Sequence, residues 1–282
     1  MAVLEALQTA VGAVRRNPAL FVVAAAFSLL QLPGLVAQSL HPLVGGLVSL
    51  GFSGITIFVT PFFFGGVIGM ANEAIDGRTS IGTLTREGKA HYVSMLVVYL
   101  SLFAVNLVLG FVIVFATIVG GLLFFQSGGQ LHTLPLVALG AIGLLALLGY
   151  LVVAFAVQFF GHAIVVDDRR AVEGVKRSVW CVRHNLVAVL GYTLVTAVAG
   201  ATFGLFGGLF SLLTSPRLSG PGRGVDGATA TPLANVLPVD IPTVGLAGTV
   251  GLVALLVVCS GLFGGFFAAF STAFYRRIRP TG

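Results

Sequence analysis

Gln158 and His162 stand four residues apart, so in a helix they share one face, where an amide and an imidazole could hold a lipid headgroup or a metal ion. A hydrogen-bonded pair that packs helices together is the simpler expectation, because no Cys or acidic cluster stands beside them at metal-ligand spacing. His91 and His184 raise the same question and are expected to be polar residues at the cytosolic boundary. Glu73 and Asp76 follow a long apolar stretch and are expected at the surface. Cys181 and Cys259 fall at different expected depths, which disfavours a disulfide and leaves no metal framework. No phosphate loop of the GxxxxGK[ST] type, no HExxH and no nucleophile elbow occurs. No catalytic, cofactor-binding or metal-ligating residue is therefore assigned, and an enzyme is not expected.

The elements that carry these residues follow from where charge is missing. The chain is 57% hydrophobic and 9% charged, with mean hydropathy +1.06. A soluble domain has about 25% charged residues. Hydrocarbon cannot solvate backbone polar groups, so the long apolar stretches must be membrane-spanning helices. Six are expected, over about 19–40, 43–70, 93–125, 134–162, 186–213 and 244–274. Each reaches the roughly 20 residues that cross a bilayer core. Pro61 is expected to kink the second, and the His41–Pro42 connection to close the first pair into a tight hairpin. None carries Asp, Glu, Lys or Arg at its middle, which argues against a proton- or sodium-coupled transporter. Asn106 and Gln38 are expected to donate interhelical hydrogen bonds or to sit at interfaces between helices.

The cations orient the bundle. Every Lys and Arg except Arg217 and Arg223 lies in one of four short polar segments, ending near Arg16, Lys89, Arg183 and Arg279. By the positive-inside rule these segments and both termini face the cytoplasm, and the protein is a multi-pass protein of the cell membrane. The net charge of +6 then sets topology and meets anionic headgroups, so a nucleic-acid partner is not expected. Glu5 and the pair Arg15-Arg16 before the first apolar run argue against a cleaved signal peptide.

Three polar segments read as amphipathic helices on the inner surface. From Asp167 to His184, Val172, Val175, Val179 and Val182 form an apolar stripe, with Asp167 or Asp168 as a cap and Glu173 placed to pair with Arg177. Arg169, Arg170, Lys176, Arg177, Trp180 and Arg183 are the expected contacts to lipid headgroups or to a membrane-protein partner. The N-terminal stretch repeats the stripe with Leu4, Leu7, Val11 and Val14. The middle segment, 79–91, offers Ile81, Leu84 and a Ser80 cap. Gly200, Gly204 and Gly208 make a ridge expected to pack helices within the monomer or, less simply, between two copies. Gly65 and Gly69 repeat it briefly.

The chain reads as a single transmembrane domain, 1–282, built of three units at 1–70, 71–163 and 164–282, each an inner polar helix followed by a helical hairpin. Val14-Arg15-Arg16-Asn17 and Val182-Arg183-His184-Asn185 mark the repeat, and Lys89-Ala90-His91-Tyr92 is its middle copy. Phe63-Phe64-Gly65, Phe159-Phe160-Gly161 and Gly265-Phe266-Phe267 mark the inner ends of the hairpins. Residues 214–242, rich in Pro and Gly, are expected to form a flexible outer loop.

Gly161-His162-Ala163-Ile164-Val165-Val166-Asp167-Asp168, with Val172-Glu173-Gly174-Val175-Lys176-Arg177-Ser178, Val182-Arg183-His184-Asn185 and Leu190-Gly191-Tyr192, resembles an uncharacterised family of haloarchaeal multi-pass membrane proteins. More distantly it is similar to the membrane domain that precedes some bacterial glycerophosphodiester phosphodiesterases. The resemblance covers about thirty positions. It implies a helical membrane bundle and brings no catalytic residues, and the basic charge departs from the acidic surfaces of halophiles.

The expected fold is thus all-α, an integral membrane bundle of six transmembrane helices with three cytoplasmic-side amphipathic helices. The expected function is a non-enzymatic scaffold that binds lipid or a partner, with a small-molecule or lipid transporter as the alternative. A polar-lined cavity at mid-membrane depth favours the transporter, and a filled interior favours the scaffold.

Overall fold

The computed structural model describes residues 2–30, 42–126, 133–214 and 246–280. The described residues are all-α: α1 (Ala2–Arg16), α2 (Ala19–Leu29), α3 (Pro42–Asp76), α4 (Ile81–Ala90), α5 (Tyr92–Gln126), α6 (Thr133–Val157), α7 (Phe160–Val166), α8 (Ala171–His184), α9 (Leu186–Thr214) and α10 (Leu246–Ile278). Five spans are long and apolar enough to cross a membrane: those in α3, α5, α9 and α10, and one that runs from α6 through α7. A sixth arises if α1 and α2, bent by 87° at Asn17–Pro18, count as one broken span. Much of the first expected span (31–40), Gln38, His41, Arg217, Arg223 and nearly all of the 214–242 loop lie outside the described residues.

The core sits at the basic end of the bundle. Ala6, Ala10, Leu20, Met70, Phe159, Cys181, Phe270, Phe274 and Tyr275 pack there in one buried cluster. Towards the opposite end the large side chains of α5 and α6, such as Phe111, Phe115, Leu145 and Val152, are exposed. In a bilayer such a surface meets acyl chains as apolar as itself.

Three helices form where polar segments were expected, and each buries part of its expected stripe, Val14, Leu84 and Val182 respectively, beside small residues. In α1 the buried positions are Ala6, Ala10, Ala13 and Val14, whereas Leu4 is 68% exposed and Val11 also points outward. In α8 they are Gly174, Ser178, Cys181 and Val182, with Val172 exposed. In α4 they are Thr83, Leu84 and Gly88, with Ile81 exposed. The small residues let backbones approach; a Cβ on Gly174 would meet Ile164 Cγ1 at 2.6 Å.

The fourth expected span is interrupted between α6 and α7. Ser178, brought in by α8, fills the break: its Oγ accepts from the Phe159 N–H (3.1 Å) and donates to the Ala156 carbonyl (3.0 Å). Backbone groups freed inside a membrane need such a partner.

At Gly200, Gly204 and Gly208 an added Cβ would meet nothing within 4 Å among the described residues, so the ridge packs against none of the described helices. Close approach is made elsewhere. A Cβ on Gly261 would lie 2.8 Å from Ala25 Cβ and 2.9 Å from the Phe21 carbonyl, and one on Gly265 3.1 Å from backbone of α2. Gly66, Gly69 and Gly88 play the same part between α3 and α4, while Gly65 has only ordinary contacts.

Candidate functional site

Asp167 ends α7 and is the electrostatic centre of the basic end. Its side chain is 8% exposed. Oδ2 accepts from the Tyr275 hydroxyl (2.7 Å) and Arg177 Nε (3.2 Å), and Oδ1 accepts from Arg279 Nη1 (2.8 Å). Burial pushes its pKa up, but these bonds outweigh burial and hold the carboxyl below its usual value. One carboxylate thus ties α7, α8 and the end of α10. Asp167 therefore caps no helix N-terminus; Arg170 occupies the N-cap position of α8, without a side-chain cap. Asp168 is exposed, at φ 50.

The expected contact residues divide. Arg177 turns inward to Asp167 and to the Pro280 carbonyl (3.3 Å), so its expected pairing with Glu173 gives way to a buried partner. It also lies 5.9 Å from the Trp180 ring centroid. Trp180 is 40% exposed and stacks on His184, with ring centroids 4.0 Å apart. Arg169, Arg170, Lys176 and Arg183 are exposed, and none has an ion-pair partner among the described residues. They remain free to meet solvent or headgroups.

Polar residues at the ends of the inner helices fasten them to the spans. Asn17 is buried: Nδ2 donates to the Ala13 carbonyl (2.9 Å) and the Gly77 carbonyl (3.0 Å), and Oδ1 accepts from the Thr79 N–H (2.8 Å). Asn185 Nδ2 donates to the carbonyls of Cys181 (3.1 Å) and Ile278 (3.2 Å). His91 sits 3.4 Å from Glu87 and 3.9 Å from Asp168. Glu73 is half-buried rather than a surface acid, and accepts from the hydroxyls of Thr79 (2.9 Å) and Thr83. Asp76 is exposed and pairs with Arg276 (2.9 Å), and Glu5 pairs with Arg277.

Gln158 and His162 do not bond each other. Gln158 Nε2 donates to the Phe155 carbonyl (3.0 Å) and Oε1 accepts from Thr193 Oγ1 on α9 (3.3 Å). His162 Nε2 lies 3.1 Å from Ser271 Oγ on α10. Asn106 bonds the Leu102 carbonyl of its own helix (2.8 Å), not a neighbouring one. Both cysteines are free, Cys181 buried and Cys259 half-buried.

Gln158 and His162 do share a cavity of about 380 Å³, bounded by α2, α3, α7, α9 and α10. Phe27, Phe63, Phe64 and Phe267 give it apolar walls, and Tyr192, Thr196 and Ser271 stand among its polar groups. No charged side chain lines it. Along α10 it extends from Ser271 to Ser260, roughly 16 Å of helix. Reasoning from sequence missed it because its lining comes from every unit of the chain; the one available signal was Gln158 and His162 on a common face.

Residues 1–278 match a family described as Domain of unknown function (DUF7847), and the chain belongs to that family. No curated protein and no solved structure matches it.

Proposed function

We propose that this DUF7847 chain is a non-enzymatic, multi-pass protein of the cell membrane whose cytosolic end gathers anionic lipid headgroups. The observation that carries the reading is the division within α8. Arg177 is spent on Asp167, while Arg169, Arg170, Lys176 and Arg183 stay exposed around Trp180. Cations that served only to hold the fold would find carboxylates. Cations left outward beside an indole at a membrane boundary suit phosphate-bearing headgroups, each contributing about 1 kcal/mol near an anionic surface. Both termini lie on this same cytosolic side. A membrane-protein partner with an acidic face is the other ligand such a surface accepts. The family assignment carries no activity.

The test changes Arg169, Arg170, Lys176 and Arg183 together to Gln and leaves Arg177 in place. Native mass spectrometry of protein purified with its lipids should then find anionic lipid much reduced and the bundle intact. Undiminished anionic lipid would end the headgroup reading.

A transporter of small molecules or lipids is the second reading, favoured by the cavity between the hairpins. Its walls are chiefly aromatic and aliphatic, so they suit an apolar solute better than an ion or a sugar. Uptake of a lipid analogue across vesicles bearing only this protein would favour transport over scaffolding.

A further inference from the structure

Among the five spans, that of α5 is the most apolar, and its most apolar stretch buries no residue. Near its middle, roughly 21 Å of helix from Tyr92, stands Asn106. Its side chain is exposed and therefore faces hydrocarbon. An amide has two protons to give and an oxygen that accepts. Asn106 uses one proton, from Nδ2 to the Leu102 carbonyl (2.8 Å). The second N–H and Oδ1 meet no partner among the described residues. The exposed hydroxyls of the same span differ. Ser101 and Thr117 give their single proton to the Val97 and Ile113 carbonyls (2.8 Å each), so each is satisfied within its own helix. Acyl chains offer an amide neither donor nor acceptor, so the remaining half of Asn106 needs protein. The residues around it form a seam. Phe103, Asn106, Gly110, Ile113 and Thr117 alternate spacings of three and four, which places them on one face of α5, and all five are exposed. A Cβ on Gly110 would meet nothing within 4 Å, so a second backbone has room to approach one turn from the amide.

We propose that two copies of this chain pair through this seam, α5 against α5, with their Asn106 amides bonded to each other. The amide itself selects a second copy over another protein. Each gives its unused N–H to the other's Oδ1, so one residue supplies both halves of the bond, as a two-fold interface requires. Copies inserted in the same orientation are related by an axis along the membrane normal, which sets identical residues at identical depth. The two amides then meet without any further device, whereas a different partner would have to bring a donor and an acceptor to that depth. One polar residue on an otherwise apolar helix face fixes register and pairing in helix dimers by the same means. This interface is independent of the outward cations of α8 and stands or falls separately.

The test reconstitutes the full chain, carrying one fluorophore at its terminus, in liposomes over a series of protein-to-lipid ratios. Single-molecule photobleaching should count one copy at the lowest densities and two as density rises. Asn106→Leu removes the amide at an exposed position outside the core, so the melting temperature should hold while the density needed for pairing rises about tenfold. In a chain with Cys181 and Cys259 changed to Ser, oxidation should link two copies through Ile113→Cys, on the seam. It should not link them through Val108→Cys, which is comparably exposed on the opposite side of α5. One copy per particle at every density overturns the proposal, and so does pairing that Asn106→Leu leaves unchanged. Both of these outcomes are read in chains that keep their cysteines. Linking through Val108→Cys as readily as through Ile113→Cys overturns it too, because the copies would then meet on another face.

Discussion

Asn17 and Asn185 make the same pair of bonds from matching places in the chain. Each follows an inner helix, each donates from Nδ2 to the carbonyl four residues back, and each reaches a carbonyl where a membrane-spanning helix ends, at Gly77 and Ile278 respectively. His91, the middle counterpart, reaches Asp168 just beyond α7. In each case a polar side chain at the end of a short helix reaches the end of a spanning helix.

Asn17→Ala should lower stability by about 1–3 kcal/mol, because it strands the Thr79 N–H and the Gly77 carbonyl in a buried site. Asn185→Ala should cost less, since Asn185 is half-buried and makes fewer bonds. Thermal unfolding in detergent, followed by size-exclusion fluorescence, reads both. An equal or larger loss at Asn185 would contradict this ranking.

Asp167→Asn should destabilise the basic end by about 3 kcal/mol, since it leaves Arg177 and Arg279 facing an uncharged amide. The pH dependence has a definite sign. The folded carboxyl titrates below its unfolded value, so its contribution is complete above about pH 4 and is lost as pH falls through the folded pKa. The gap in melting temperature between wild type and Asp167→Asn should be constant from about pH 8 to 5 and close below about pH 4. A gap that instead widens in acid would show the sign to be wrong.

Gly261→Leu should destabilise by about 3 kcal/mol or prevent folding, because its side chain would enter the Phe21 and Ala25 backbone region of α2. Gly204→Leu should leave the melting temperature of the monomer unchanged, since nothing in the described chain lies against it. The two variants compared by the same melting assay separate a ridge that packs from one that does not. A large loss at Gly204 would contradict the structure.

A cysteine placed at Lys176, in a chain with Cys181 and Cys259 changed to Ser, should resist a membrane-impermeant thiol reagent in intact cells and react after permeabilisation. Reaction in intact cells would reverse the orientation and move the cationic surface of α8 to the outer face.

Membrane class, the approximate spans and the inner polar helices were legible in the chain, because the cost of putting charge or unbonded backbone into hydrocarbon is imposed residue by residue and writes itself locally. The buried faces were legible only in part, through Val14, Leu84 and Val182. In water, Leu4, Val11 and Val172 would mark the inward side of α1 and α8; beside lipid they lose nothing by pointing outward. What drives the inward choice is close approach, so Ala6, Ala10, Ala13, Gly174 and Ser178 turned in. The same reason puts close-packed glycines at Gly261 and Gly265, whose place depends on where α2 runs. Tertiary structure alone brought Tyr275 and Arg279 to Asp167, and set His162 beside a cavity shared by distant helices. Contacts between helices far apart in the chain leave no local trace, because any apolar helix face can pack against many others and only the assembled bundle selects among them.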